Sequence, residues 1–308
     1  MFLLIFIYFS VFAFIGFSFY KGYQFARMPL QSRLDLYPVP KEAGEKGEYG
    51  GSYFEEPEWW KKPRRVSMAG EIKEMLKEML FIKKLFVNQR RLWWISYSLH
   101  LGIYLSFLWS VLLLAGAVTE LAGLSVTAGA GVNVHWWAVL VYYATMASGF
   151  AGALLAAFGS AGLFLRRVFD KTMSKYTTPQ EYFNLLFIFG VLVSGIFAWG
   201  VTDPALNYSR DIVKGLLTFS PIQAGPALTV HIILLGLLLI YIPQTKMSHY
   251  VGKYFSFHKV LWENEPNLRN SKMEAKIKKA LSYKPNASWS APHIKPGASG
   301  VAEPKEVK

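Results

Sequence analysis

Five long stretches of this sequence carry no charged residue, and they decide what the chain can fold into. Residues 1–20, 92–119, 121–165, 183–202 and 215–245 contain no Asp, Glu, Lys or Arg. About 20 mostly apolar residues suffice for one helix to cross the hydrocarbon core of a bilayer. Each run reaches that length and is apolar on all sides, unlike a surface helix with one polar face. The helix of the third run is expected to begin near Asn133. That of the fifth is expected to begin near Pro226, because proline suits the first helical position. Charged residues make up only 17% of the chain, against about 25% in soluble proteins, and the mean hydropathy is +0.25. The sequence therefore predicts an all-α integral membrane protein, a five-helix transmembrane bundle in the cell membrane, with its two termini on opposite sides.

The cations between the runs set the orientation. Residues 21–91 hold 15 Lys and Arg, and residues 166–175 hold four, whereas 121–132 hold none and 203–214 hold two, opposed by two Asp. Cytoplasmic loops carry the excess of Lys and Arg. The N-terminus is accordingly expected outside and the C-terminus inside, with a cytoplasmic loop and tail. The net charge of +13 then belongs to membrane loops and not to a nucleic-acid face. Trp93, Trp94, Trp136, Trp137 and Trp199 fall near expected span ends, where aromatic belts form.

The organisation expected is a first span over 1–20, a cytoplasmic loop over 21–91, helices two to five over 92–245, and a cytoplasmic extension of helix five with a tail over 246–308. The first span lacks a basic leading segment and a small-residue cleavage site, so it reads as a retained anchor. The Pro- and Gly-rich residues 29–63 are expected to be irregular. From Ala69 to Arg91, Met75, Leu76, Met79, Leu80, Ile82, Leu85 and Phe86 recur at helical spacing between Lys and Glu, which predicts one amphipathic helix. The tail from Lys284 is expected to be disordered or draped on a partner.

The chain has no cysteine. That excludes Cys-ligated iron–sulfur clusters, thiolate zinc and c-type haem attachment within it. The six histidines carry the remaining chemistry. Ionisable side chains inside spans are costly and mark function. His100 falls inside span two and His231 inside span five, with His249 at the inner end of the same helix if that helix continues. His231 and His249 are 18 residues apart, about five turns and about 27 Å on one face of a continuous helix. That spacing suits two stacked haems, each taking its second axial ligand from another helix. His100 would complete an inner haem with His249, and His135 an outer haem with His231. His258 and His293 read as surface histidines.

Five spans with His100 on the second and the His231/His249 pair on the fifth resemble the cytochrome b (gamma) subunit of respiratory nitrate reductase. The resemblance implies one haem b on each histidine of the span-five pair. The family's second histidine on span two corresponds here to Ser110, a departure that leaves the outer haem to His135. The long basic loop, the run from Pro243 to His249, and Lys253-Tyr254-Phe255-Ser256-Phe257-His258 with Trp262 are similar to the branch typified by the DsrM/HmeC membrane subunit of sulfite-reduction-associated complexes. That likeness implies two haem b groups and menaquinone as substrate. It further implies a cytoplasmic iron–sulfur partner resembling the heterodisulfide reductase catalytic subunit, and further membrane and outer-face subunits including a multihaem cytochrome c.

Quinol chemistry needs titratable groups near a haem. On the sparsely charged outer side these are Glu120, Asp203, Arg210, Asp211 and Lys214, the candidates for a quinone site. A non-redox membrane anchor with structural histidines is the competing class. A transporter is disfavoured because the sequence shows no internal repeat.

Overall fold

The computed structural model of the chain describes residues 1–27, 57–58, 67–129, 135–256 and 269–282. Among these, secondary structure is helical throughout. Five helices are long and apolar enough to cross a membrane: α1 (Phe2–Arg27), α4 (Arg90–Leu121), α5 (Trp136–Phe169), α7 (Pro179–Thr202) and α9 (Pro226–Tyr241), the last with the 3-10 turn that carries its span on to Gln244. The chain is a multi-pass membrane protein. Its shorter helices are α2 (Met68–Phe81), α3 (Lys83–Asn88), α6 (Lys171–Tyr176), α8 (Asn207–Leu217), α10 (His249–Ser256) and α11 (Lys272–Leu281).

Local chemistry explains the helix ends. Pro179 and Pro226 each sit in a first helical turn, where the missing N–H costs nothing. Glu181 reaches back to accept the Thr178 N–H at 2.8 Å, one arm of a capping box. Arg166 and Arg167 occupy the last turn of α5, at the negative end of its dipole. Asp170 accepts the N–H groups of Thr172 and Met173 to start α6.

The chain divides into two compact units. The first comprises residues 1–18 and 80–248. Its helices α4 and α5 pack with their backbones almost in contact along a face of Gly152, Ala156 and Gly159, and Gly149 continues that face beneath the Trp109 indole. A Cβ on Gly102 would lie 2.7 Å from Cα of Ala156, and one on Gly159 would lie 2.7 Å from Cα of Leu99. Small residues permit this approach between membrane helices. Helix α7 lies antiparallel to α5, with Phe164 against Tyr182 at 5.9 Å and Phe150 against Trp199 at 6.2 Å. It is joined to α9 by the Tyr241 hydroxyl donating to Asn184 at 2.8 Å. Helix α1 fits against Gly236 of α9, where a Cβ would meet Ser10 Oγ at 2.7 Å.

The second unit comprises residues 19–79 and 249–308. Within it Phe25 packs on Phe255 with ring centres 5.9 Å apart, and Lys253 of α10 bonds Glu78 of α2 at 2.8 Å.

Three elements differ from the sequence expectation. The amphipathic segment is two helices and not one, because Ile82 turns left-handed at φ 51°. This break releases the Phe81 carbonyl to accept the Trp93 indole N–H at 2.7 Å. Helix five stops at Tyr241, and two 3-10 turns (Ile242–Gln244 and Lys246–Ser248) follow. Pro243 has no N–H for the ladder, and the Gln244 side-chain amide donates to the Ile240 carbonyl at 2.8 Å. Residues 203–214, expected as a loop, hold most of the amphipathic α8. The expectations for Asn133, most of 29–63, His258, Trp262, His293 and the tail from Lys284 lie outside the described residues.

Candidate functional site

His231 sits in the second turn of α9, half-buried against α7. Its Nδ1 lies 3.1 Å from Ser194 Oγ. That hydroxyl's one proton is already given to the Val191 carbonyl at 2.8 Å. With its proton on that carbonyl, Ser194 accepts from the imidazole, an arrangement that carries the ring proton on Nδ1 and the lone pair on Nε2. The ring rests on Gly195, where a Cβ would lie 2.7 Å from Cε1. A neutral imidazole with Nδ1–H anchored and Nε2 presented is the form that ligates iron. Ser194 and Gly195 were missed in the sequence. Their signal was a small polar–glycine pair inside a run of bulky residues, on a helix facing a histidine.

His100 shows the same chemistry. Its Nδ1 lies 2.7 Å from the Ser96 carbonyl, which can only accept, so Nε2 again carries the lone pair. Leu99 meets Gly159 and Gly102 meets Ala156, whereas the shelf of His231 lies one turn from Trp199, which is level with Phe150. Following these contacts, His100 lies about 8 Å further toward the Phe169 end of the bundle than His231. The two histidines sit at different depths.

His135 is placed otherwise. It is exposed at the N-cap of α5, and its Nδ1 accepts the Trp137 N–H at 3.2 Å, which leaves the ring proton on Nε2. It lies 15 residues before Phe150, about 22 Å along the helix. The structure does not bring His135 and His231 together. His249 opens α10 and does not continue α9, so the single-helix register between His231 and His249 is lost at Pro243.

Four of the five charged candidates converge. Arg210, with its side chain 3% exposed, gives Nε–H to Glu120 at 2.8 Å. It also donates to the Val126 carbonyl at 3.1 Å, to Asn207 Oδ1 at 2.5 Å and to the Ala205 carbonyl at 3.3 Å. Lys214 bridges Glu120 and Asp211, at 2.7 Å to each. Two cations thus meet two carboxylates. Asn207, Arg210 and Lys214 share one face of α8, a helical spacing that marks Asn207 as the member the sequence reading omitted. A cavity of about 390 Å³ opens on this cluster, lined by Glu120, Ser125, Thr127, Asn207 and Lys214. Asp203 stands apart: its carboxylate accepts the Tyr208 and Ser209 N–H groups at 3.0 and 2.7 Å. It initiates α8 and does not line the cavity.

Hydrogen bonds to Asp211 and Glu120 hold the Lys214 ammonium above the usual lysine range. A raised folded pKa means that the ion pair contributes fully below the unfolded lysine value of about 10.4. The contribution is lost as pH rises through the folded value. Thermal unfolding of the protein in micelles should therefore be insensitive to Lys214→Met above that range and sensitive to it at neutral pH. An equal effect of the substitution at both pH values would remove the ion pair as its cause.

Glu120 lies 20 residues beyond His100 on α4, about 30 Å, the thickness of a hydrocarbon core. The polar cavity thus lies at one end of the span and His100 in its other half, 10 residues inside Arg90. Among the described residues no three His, Asp or Glu converge as a site for a bare metal ion, whereas bis-imidazole haem ligation needs only two side chains.

No known protein family's sequence profile matches the chain, and no solved structure matches it. Over 101 residues it is 28% identical to an Hdr-like menaquinol oxidoreductase cytochrome b-like subunit of Archaeoglobus fulgidus, a stretch that covers 30% of this chain and 30% of that protein.

Proposed function

We propose that the chain is a b-type cytochrome subunit of a quinol-linked membrane redox complex. The observation that carries this reading is the state of the two intramembrane histidines. Each has Nδ1 within hydrogen-bond distance of an oxygen on a helix, the Ser96 carbonyl or Ser194 Oγ, which leaves Nε2 as the nitrogen to ligate iron. The name of the Archaeoglobus protein, a menaquinol oxidoreductase cytochrome b-like subunit, supports the same reading. In it, His231 would hold an outer haem b and His100 an inner one, with His249 the sequence candidate for the second inner position. His135 is the sequence candidate for the remaining outer position. Bound haem would supply one-electron chemistry at these residues.

The chain's own residues do the rest. Ser194 and the Ser96 carbonyl fix the tautomer and orient each ring. At the Glu120 end, the cavity is the proposed menaquinone site. The Glu120 carboxylate accepts a hydrogen bond from a quinol hydroxyl, and the Lys214 ammonium donates to a quinone carbonyl. Arg210 holds Glu120 in place. The loop-charge asymmetry supports an N-terminus outside and a C-terminus inside. A cytoplasmic iron–sulfur subunit resembling heterodisulfide reductase then meets the His100 side. The relative's Hdr-like name favours this partner over a nitrate reductase.

A pyridine haemochrome assay on the purified chain tests the reading. Two haem b per chain are expected, with His231→Ala losing one and His100→Ala losing the other. Ser194→Ala should keep the haem but shift its midpoint potential, which a purely structural serine would not do. Haem-free protein, or unchanged haem content in both histidine variants, would overturn the reading. His135→Ala is expected to retain both haems, since His135 lies about 22 Å along α5 from the level of Phe150, and loss of one haem would restore it as a ligand.

A further inference from the structure

Helix α2 is amphipathic in the inverted sense. Its carboxylates are inside: Glu71, Glu74 and Glu78 are 2%, 5% and 6% exposed, and Glu78 is bonded to Lys253. Its aliphatic side chains are outside: Ile72 and Leu76 are each 45% exposed, with Met68 and Leu80 continuing the line. These four recur every fourth residue and form one continuous apolar stripe. A water-facing helix would present the opposite pattern.

The C-terminal end of α2 shows what covers the stripe. The Phe81 carbonyl accepts the Trp93 indole N–H, and the Phe81 ring lies against Tyr97 with centres 6.3 Å apart. Tyr97 is seven residues into the span from Arg90, about 10 Å along its axis. The stripe therefore ends beside the first turns of a transmembrane helix, among Phe86, Trp93 and Tyr97, whose rings pack together. Interfacial aromatic belts have this composition. The cations Lys73 and Lys77 border the stripe, Lys77 also reaching Glu74 at 3.0 Å, and Lys83, Lys84, Arg90 and Arg91 follow it before the span proper. A helix with an apolar face a few ångströms deep and cations at its edge is built for an anionic bilayer surface.

We infer that α2 is an interfacial helix that lies on the bilayer with Ile72, Leu76 and Leu80 inserted among the acyl chains and Lys73 and Lys77 at the headgroups. Its carboxylate face is kept for the protein, which frees the apolar face for lipid. A redox partner subunit docked on the same stripe is the contrary outcome, and the two separate experimentally.

The chain contains no cysteine, so single-cysteine variants of the full-length protein label cleanly. Nitroxide labels at Ile72→Cys, Leu76→Cys, Leu80→Cys, Lys73→Cys and Lys77→Cys would be read in vesicles of phosphatidylcholine and phosphatidylglycerol at 3:1, a ratio of about one anionic lipid in four. The ratio of collisions with oxygen to collisions with a water-soluble nickel chelate should be several-fold higher at 72, 76 and 80 than at 73 and 77. In pure phosphatidylcholine it should fall at the stripe. Equal nickel access at all five positions would overturn the inference. So would a stripe that becomes shielded from both reagents only when partner subunits are co-purified. Three independent stripe positions keep the test decisive if one variant fails to fold.

Discussion

Gly159→Leu and Gly102→Leu should each abolish accumulation of folded protein. At both positions an added Cβ meets the backbone of the neighbouring helix and not the end of a flexible side chain: 2.7 Å from Cα of Leu99 and 2.7 Å from Cα of Ala156 respectively. A side-chain tip can rotate away, but a helix backbone moves only with the whole helix. Helices α4 and α5 would have to separate along most of their length, with loss of the contacts of Leu99 and Ala156 in the core cluster that Leu185 of α7 completes. Overpacking in a well-filled core costs about 1–3 kcal/mol where side chains can adjust, and the rigid backbone puts these two at or beyond the upper end. In a membrane the loss is not offset by water, because van der Waals packing is the main force between helices there. Gly190→Leu is the control, since nothing lies within 4 Å of a Cβ at that position. The check is the monodisperse yield by size exclusion in detergent. Wild-type yield and melting for Gly159→Leu would show that α4 and α5 do not pack as described.

Arg210→Ala should be the most damaging change at the polar cavity. The side chain is 3% exposed, and its loss would leave Glu120 short of its buried cation and remove the donors to the Val126 and Ala205 carbonyls. Removing one partner of a buried ion pair costs about 3–5 kcal/mol, because the other charge stays buried without compensation. Lys214 remains on Glu120 at 2.7 Å, so the lower half of that range is expected. Arg210→Lys should recover only part of the loss, since an ammonium lacks the planar fork that reaches Glu120, Asn207 and two carbonyls together. The pair replacement Glu120→Gln with Arg210→Met should melt closer to wild type than Arg210→Ala does. Thermal unfolding in micelles followed by tryptophan fluorescence measures all three. If Arg210→Ala melts within a degree of the parent protein, the buried network is not what ties α8 to the end of α4.

Much of this was legible in one dimension. The charge-free runs specify five spans, because a bilayer penalises each charge on a helix and demands a length near 20 residues. Glu120, Arg210 and Lys214 stood out as cations and a carboxylate in a sparsely charged stretch, and they converge. The intramembrane positions of His100 and His231 were equally visible, because an ionisable group in an apolar run needs no neighbour to be noticed.

Other features depended on facts the sequence does not carry. The spacing of His231 and His249 assumed one unbroken helix, and that assumption fails at Pro243, where the missing N–H is combined with two 3-10 turns. Asp203 carries the same charge as Asp211, yet one caps α8 and the other pairs with Lys214. The difference arises from a chain reversal at Leu206, whose φ is 58°. The lone pairs on the histidines were set by Ser194, Val191 and Ser96, because a tautomer is chosen by the partner of the other ring nitrogen. The apolar residues of α2 could be counted in the sequence, but which face they turn outward could not. By itself the sequence determined which segments must leave water, since that follows from composition along the chain. Which side chains meet, in which protonation state and facing what, was decided only by the packing of helices, because those relations join residues that lie far apart in the chain.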